Sequence, residues 1–275
     1  MEFSRNESFI LNRLQKGIPC SNEPFIEIAA DTGLTEQEVL DTISRLKKNN
    51  VIRNISGIFN GEKLGYYLSL VAFEVPAENA ESAGAVISSH PGVSHNYLRN
   101  HKYNIWFTLA EENQEEFNKT VSILASKTEA NDFLVLRNEK LLKIGVFLDM
   151  TGTDANGDFP GSVHPESTVP VKLDDTTKEA VSMLQEDLPL VQDPFRKIAE
   201  NGKLIKSRQE LLTYFSNFLE TGIIRRYAAV LRHTKTGYKS NAMTAWNAGT
   251  DTDIEAFLKE KAISHLYFRT VFPGR

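Results

Sequence analysis

The 275-residue sequence holds a single cysteine, Cys20. One thiol excludes an internal disulfide and any four-cysteine zinc site, and it fits a reducing cytosol, the compartment expected here. No apolar run approaches the ~18 residues of a membrane-spanning helix, and the opening MEFSRNESFI lacks the apolar core of a secretory signal. GxGxxG, P-loop, HExxH and CxxC patterns are all missing, which removes nucleotide, zinc-protease and thiol-redox readings. Positive charge is not in excess either: 31 Lys and Arg stand against 36 Asp and Glu, a net charge of −5. The chain as a whole therefore does not advertise nucleic-acid binding. The hydrophobic share of 41% is that of an ordinary globular protein.

What the chain does contain is itself, twice. LQKGIPCSNEPFIEIA (Leu14 to Ala29) aligns with LQEDLPLVQDPFRKIA (Leu184 to Ala199), and VIRNISGIFNGEKLGYYLSLVAF (Val51 to Phe73) with IIRRYAAVLRHTKTGYKSNAMTA (Ile223 to Ala245). Ser94-His95-x-Tyr97-x-Arg99 then meets Ser264-His265-x-Tyr267-x-Arg269, at an offset that stays near 170. Register held over three separate blocks marks an internal duplication. Between the copies, residues 151–175 are dominated by Gly, Pro, Ser, Thr and Asp without apolar period, and read as a linker. DANGD within it lacks the spacing and flanking helices of a calcium loop.

Each copy begins with three short helices. Phe9, Ile10 and Leu14 repeat at helical spacing, as do Phe25, Ile28 and Ala29. Thr35 with Glu38 forms a capping signature ahead of the stripe Val39, Leu40, Ile43 and Leu46. Ser207 stands in the same place before RQELLTYFSNFLE. This is a helix-turn-helix pattern. Strands are expected at Ile52 to Phe59, Tyr66 to Val75, Val93 to Arg99, Tyr103 to Ala110 and Phe133 to Leu148, with helices near Asn79 to Ser89 and Gln114 to Ser126. That order is a βαββαβ split unit after a connecting strand. The expected fold is α+β: a tandem repeat of winged-type helix-turn-helix (1–50 and 176–222) plus ferredoxin-like domain (51–150 and 223–275). The second sheet unit is partial, because Arg275 follows shortly after the strand of His265. The expectation is a shortened chain, a pseudo-dimer within itself that is open to further self-association.

Helix-turn-helix followed by a ferredoxin-like unit resembles the feast/famine (Lrp/AsnC-type) regulators, whose activity would be DNA binding. The charges argue against it. DNA affinity comes mainly from Lys and Arg on phosphates, yet the first recognition helix opens with Glu36, Gln37, Glu38 and Asp41. From Ile223 to Arg275, by contrast, nine Lys and Arg face four Asp and Glu, with Arg225, Arg226, Arg232, His233, Lys235 and Lys239 clustered. Such a patch suits a small polyanion.

Strand side chains alternate with period two, so His95, Tyr97 and Arg99 share one face, as do His265, Tyr267 and Arg269. Proton donor, aromatic wall and carboxylate anchor stand in a row. SHNYLRNHKYNIWFTL together with RRYAAVLRHTKTGYKSNAMTAW is similar to the siroheme decarboxylase family, an enzymatic branch of the same regulators in which two related subunits pair or are fused. The resemblance implies siroheme as substrate and loss of CO2 from its C12 and C18 acetates, giving 12,18-didecarboxysiroheme for haem or haem d1 synthesis. No cofactor beyond the substrate's own iron is implied. A non-catalytic siroheme or haem sensor is the other reading. The catalytic candidates are His95, His265 and His101. Candidates for holding substrate carboxylates and macrocycle are Arg99, Arg225, Arg226, Arg232, His233, Arg269, Lys102, Tyr97, Tyr103 and Tyr267.

Overall fold

The computed structural model describes residues 3–144, 147–151, 171, 173–237 and 265–273, and of residues 140–144, 265–268, 270 and 273 only the backbone. The linker expected at 151–175 and the stretch carrying Lys239 lie mostly or wholly outside the described residues. Contacts divide the chain into two compact units, one containing residues 1–60 and 173–264, the other 61–144 and 265–275.

The first unit holds both helix triplets. In the first copy these are α1 (Arg5–Lys16), α2 (Pro24–Thr32) and α3 (Glu36–Lys48). The expected capping box at Thr35 and Glu38 forms, and Val39, Leu40, Ile43 and Leu46 are all buried. Phe9 departs from expectation: Ile10, Leu11 and Leu14 bury the stripe of α1, while Phe9 stays 42% exposed beneath the Arg5 guanidinium. Gly33, at φ 69°, ends α2 in the left-handed conformation that glycine adopts without strain.

The second copy builds α6 (Asp175–Gln185), α7 (Pro194–Ala199) and α8 (Arg208–Glu220), and Ser207 caps α8 as its sequence position predicts. Its turn before α8 is longer. The Glu179 carboxylate accepts from the backbone N–H groups of Lys203, Leu204 and Ile205 at 2.6–2.7 Å. These bonds hold its pKa below the ordinary 4.5.

The connecting strands of the two copies, β1 (Ile52–Phe59) and β6 (Ile224–Leu231), pair with each other antiparallel in a two-stranded ribbon. Tyr227 of β6 is buried against Phe195 and Phe215. Loss of its hydration pushes the phenol's pKa upward.

The second unit is the ferredoxin-like domain: β2 (Tyr67–Glu74), α4 (Ala80–Ser88), β3 (Val93–Leu98), β4 (Ile105–Glu111), α5 (Gln114–Lys127) and β5 (Asp132–Ile144). Strand order β3-β4-β2-β5 is that of the split unit, and every pairing is antiparallel. The second copy's strand, β7 (His265–Pro273), adds to the outer edge of β5, whose backbone groups would otherwise be unpaired. One face of the sheet packs on α4 and α5 through Val71, Phe73, Ile105, Phe107, Phe117 and Val121.

Entry into β3 is fixed by Gly92. A Cβ there would stand 2.3 Å from the Ala110 carbonyl oxygen, in the segment whose N–H donates back to the Gly92 carbonyl at 2.9 Å. Gly92→Ala is expected to cost about 1–3 kcal/mol, the usual range for overpacking, read as a lower denaturant midpoint at unchanged slope. Glu179→Gln tests the second turn. A carboxylate with a depressed folded pKa stabilises fully above its unfolded pKa and loses that contribution as pH falls through the folded value. The variant should therefore melt lower at neutral pH, and its deficit should shrink as the pH is taken below 4.5.

Candidate functional site

Strand β2 is apolar on both sides. Tyr67, Val71 and Phe73 face the helices. By alternation Leu68, Leu70 and Ala72 face the other way, and their ladder neighbours Thr108 and Trp106 on β4 and Leu134 and Leu136 on β5 share that second face. A floor of aliphatic side chains with one indole is thus left on the side of the sheet that its own helices do not cover. Trp106 is anchored in it by an indole N–H bond to the Tyr103 carbonyl at 2.7 Å.

The histidine reaches this face through an irregularity. Val93 packs on the helix side, so strict alternation would send His95 into the same core. The β3–β4 register shifts between Val93 and His95: Val93 lies opposite Leu109, but His95 lies opposite Thr108. One extra residue in β3 reverses the parity of everything after it. His95, Tyr97 and Arg99 consequently follow the face of Thr108 and Trp106.

There the three side chains form a stack. The His95 and Tyr97 rings lie 6.2 Å apart at 27°, and the Arg99 guanidinium sits 4.7 Å from the Tyr97 ring centroid. His95 is exposed, Tyr97 is 43% exposed, and Arg99 is half-buried, with its Nε making no hydrogen bond among the described residues. On β7, at the opposite edge of the same sheet, Arg269 pairs with Asn138 and donates to the Leu136 carbonyl at 2.8 Å. Four strand spacings separate β3 from β7, on the order of 19 Å.

His101, Lys102 and Tyr103 form a separate cluster at the head of β4. The rings of His101 and Tyr103 stack at 6.1 Å. The Tyr103 hydroxyl donates to Asp132 at 2.8 Å, which raises the phenol's pKa and lowers that of the carboxyl. Lys102 lies 3.2 Å from Glu74 and 3.8 Å from Asp132. Its hydrogen bond to Glu74 holds its pKa above the ordinary range. The lysine's charge is therefore already answered by two carboxylates.

Arg225, Arg226, Arg232 and His233 belong to the first unit. Arg225 and Arg226 are half-buried on β6, and burial lowers the Arg226 pKa. Strict alternation would put Arg226 and Arg232 on one face, but β6 ends at Leu231 and Arg232 leads into a 3-10 turn, His233–Lys235, so the period does not apply to it. Arg232 and His233 are exposed. The side chains of His265 and Tyr267 lie outside the described residues. Their backbones pair with Ile144 and Leu141 of β5. Burial pushes the Cys20 thiol up to about 11.

Two contributors escaped the sequence reading. The second apolar face was visible in LSLVAF as hydrophobicity without alternation, the mark of a strand buried on both sides. The hydroxyls of Ser94 and Thr108, 2.7 Å apart beside His95, had no signal beyond the repeated Ser.

Comparison with known proteins accords with this architecture. Residues 63–143 match an AsnC-like ligand binding domain, and residues 7–53 and 177–225 both match a siroheme decarboxylase NirDL-like helix-turn-helix domain. The chain is 36% identical to the siroheme decarboxylase of Hydrogenobacter thermophilus, over 95% of this chain and 78% of the relative. A siroheme decarboxylase alpha subunit of Desulfovibrio desulfuricans is 41% identical over 50% of this chain and 79% of its own. Among solved structures, siroheme decarboxylase NirDL superposes with a TM-score of 0.71 at 31% identity, covering 97% of this chain and 77% of that one. The same enzyme in co-complex with an iron-uroporphyrin III analogue gives 0.62 at 32% identity, over 82% and 66%. Duplicated helix-turn-helix, AsnC-like sheet and identity over nearly the whole length agree, and this chain belongs to the siroheme decarboxylase family.

Proposed function

We infer that this protein removes CO2 from acetate side chains of siroheme, and that the substrate lies on the helix-free face of the sheet. The observation that carries the placement is the His95–Tyr97–Arg99 stack at the rim of an apolar floor. A related NirDL enzyme takes an iron-uroporphyrin analogue, a macrocycle of the same acid-fringed kind. The flat ring meets Leu68, Leu70 and Trp106, and its carboxylates meet guanidinium groups at the edges. Arg binds carboxylate in bidentate geometry, in bonds worth roughly 1.5–3 kcal/mol each.

The chemistry asks little of the protein. A pyrrole acetate releases CO2 only if the electron pair left behind is delocalised. Protonation of the neighbouring ring carbon turns the macrocycle into the electron sink, CO2 departs, and the exocyclic methylene takes up a proton as the ring carbon gives one back. Each acetate thus becomes a methyl group with net uptake of one proton. His95 supplies the protons, positioned donors of this kind contributing roughly 10²–10⁴-fold. His101 and His265 are secondary candidates. Arg99 and Arg269 are the anchors on this sheet, and Tyr97 and Tyr267 the walls. Lys102 and Tyr103, engaged with Glu74 and Asp132, act by shaping the head of β4. The substrate brings its own iron, and no resident cofactor is required.

A DNA-binding role is the weaker reading. Helix α3 carries Glu36 and Glu38 in its first turn, and its Lys47 is bound to Asp187 at 2.6 Å. No basic residue lies in the last turn of α8.

Anaerobic incubation with siroheme followed by mass analysis is expected to show loss of two CO2. Unchanged mass with a shifted absorption spectrum would instead mark a binding protein without catalysis. Arg99→Ala should weaken siroheme binding by about tenfold, the loss of ~1.4 kcal/mol, and His95→Gln should spare binding while slowing CO2 release by roughly 10²-fold or more.

A further inference from the structure

Adjacent residues of a regular strand point to opposite faces, so a serine directly before a histidine does not reach its ring. The bulge in β3 removes that restriction. Ser94 Oγ lies 3.1 Å from Nδ1 of His95 and 2.7 Å from Oγ1 of Thr108 on the neighbouring strand. Thr108 is the residue opposite His95 in the ladder. A chain of three polar groups therefore runs across the β3–β4 pair on the face assigned to the substrate, and it ends at Nδ1 of the histidine.

We propose that Ser94 and Thr108 are positioning residues for His95, holding Nδ1 so that the proton delivered to the tetrapyrrole leaves from Nε2. This rests on the reading of His95 as the proton donor. A hydroxyl rotates its single proton and can accept on one side while donating on the other. While the imidazole is charged, Nδ1–H donates to Ser94, and Ser94 donates to Thr108. After Nε2 has given its proton to the ring carbon, the neutral imidazole keeps Nδ1–H, and the same two bonds persist. Nε2 then takes its next proton from solvent, which reaches it because His95 is exposed. The imidazole keeps one orientation through the cycle.

The test compares single-turnover CO2 release and siroheme titration in Ser94→Ala, Ser94→Thr, Thr108→Val, His95→Gln and the double variant Ser94→Ala/His95→Gln. Ser94→Ala is expected to slow release about tenfold, part of the roughly 10²–10⁴-fold of a positioned acid, with binding within about twofold of the parent. Ser94→Thr should restore the rate, and Thr108→Val should show a smaller loss of the same kind. In the His95→Gln background, Ser94→Ala should cost nothing further. Parent-like release by Ser94→Ala, or the same tenfold loss persisting without His95, overturns the proposal. If His95→Gln itself releases CO2 at the parent rate, the donor assignment falls and this role with it. If His95→Gln is slow and Ser94→Ala is not, only the hydroxyl role fails.

Discussion

A two-faced sheet imposes a parity rule. Helices α4 and α5 take one face for the hydrophobic core, and any side chain that is to stay out of that core must stand on the other. In β2 this is met by apolar residues of both parities. In β3 it is met by a bulge, without which Val93 and His95 would share the core side. What β3 presents follows from that one extra residue: the histidine's exposure, the ring stack with Tyr97, the guanidinium of Arg99 beyond it, and the approach of a hydroxyl to the imidazole. Gly92 holds the bulge in place, because only a residue without Cβ can lie against the Ala110 carbonyl.

The helix-turn-helix triplets keep their shape, and several of their cations are tied to carboxylates. Lys47, at the basic end of α3, is spent on Asp187, which also accepts from the Ile55 N–H at 2.8 Å. Arg208, at the start of α8, is paired with Asp193 at 2.6 Å. Lys47 thereby ties α3 of the first copy to the second copy, and Arg208 ties α8 to the residue that caps α7. The two turns are built differently as well, the first on a left-handed glycine and the second on a carboxylate gathering three amide protons.

Local signals carried much of this into the sequence. Capping residues, helical stripes and the βαββαβ order were legible because each depends on neighbours within a few positions. The duplication was legible because it is a property of the string itself. Hydrogen-bond register between strands is not such a property. Nothing in PGVSHNYLR announces a bulge, so the shared face of His95, Tyr97 and Arg99 could be read while its direction could not. Nor does the sequence reveal that Glu74 and Asp132 close on Lys102, since those partners come from other strands. Phe9 shows the same limit within a helix: spacing put it on the buried stripe, and Leu11 occupies that place.

The β1–β6 ribbon joins strands that are homologous positions of the two copies. A siroheme decarboxylase alpha subunit matches only half of this chain, and two halves supplied as separate chains would have to find each other by diffusion, with occupancy that falls on dilution. Here the two strands belong to one polypeptide, so their encounter is intramolecular and their effective concentration is set by the connecting chain. Equal stoichiometry is guaranteed by translation. A ribbon of only two strands, marginal between independent molecules, can therefore serve as a permanent seam.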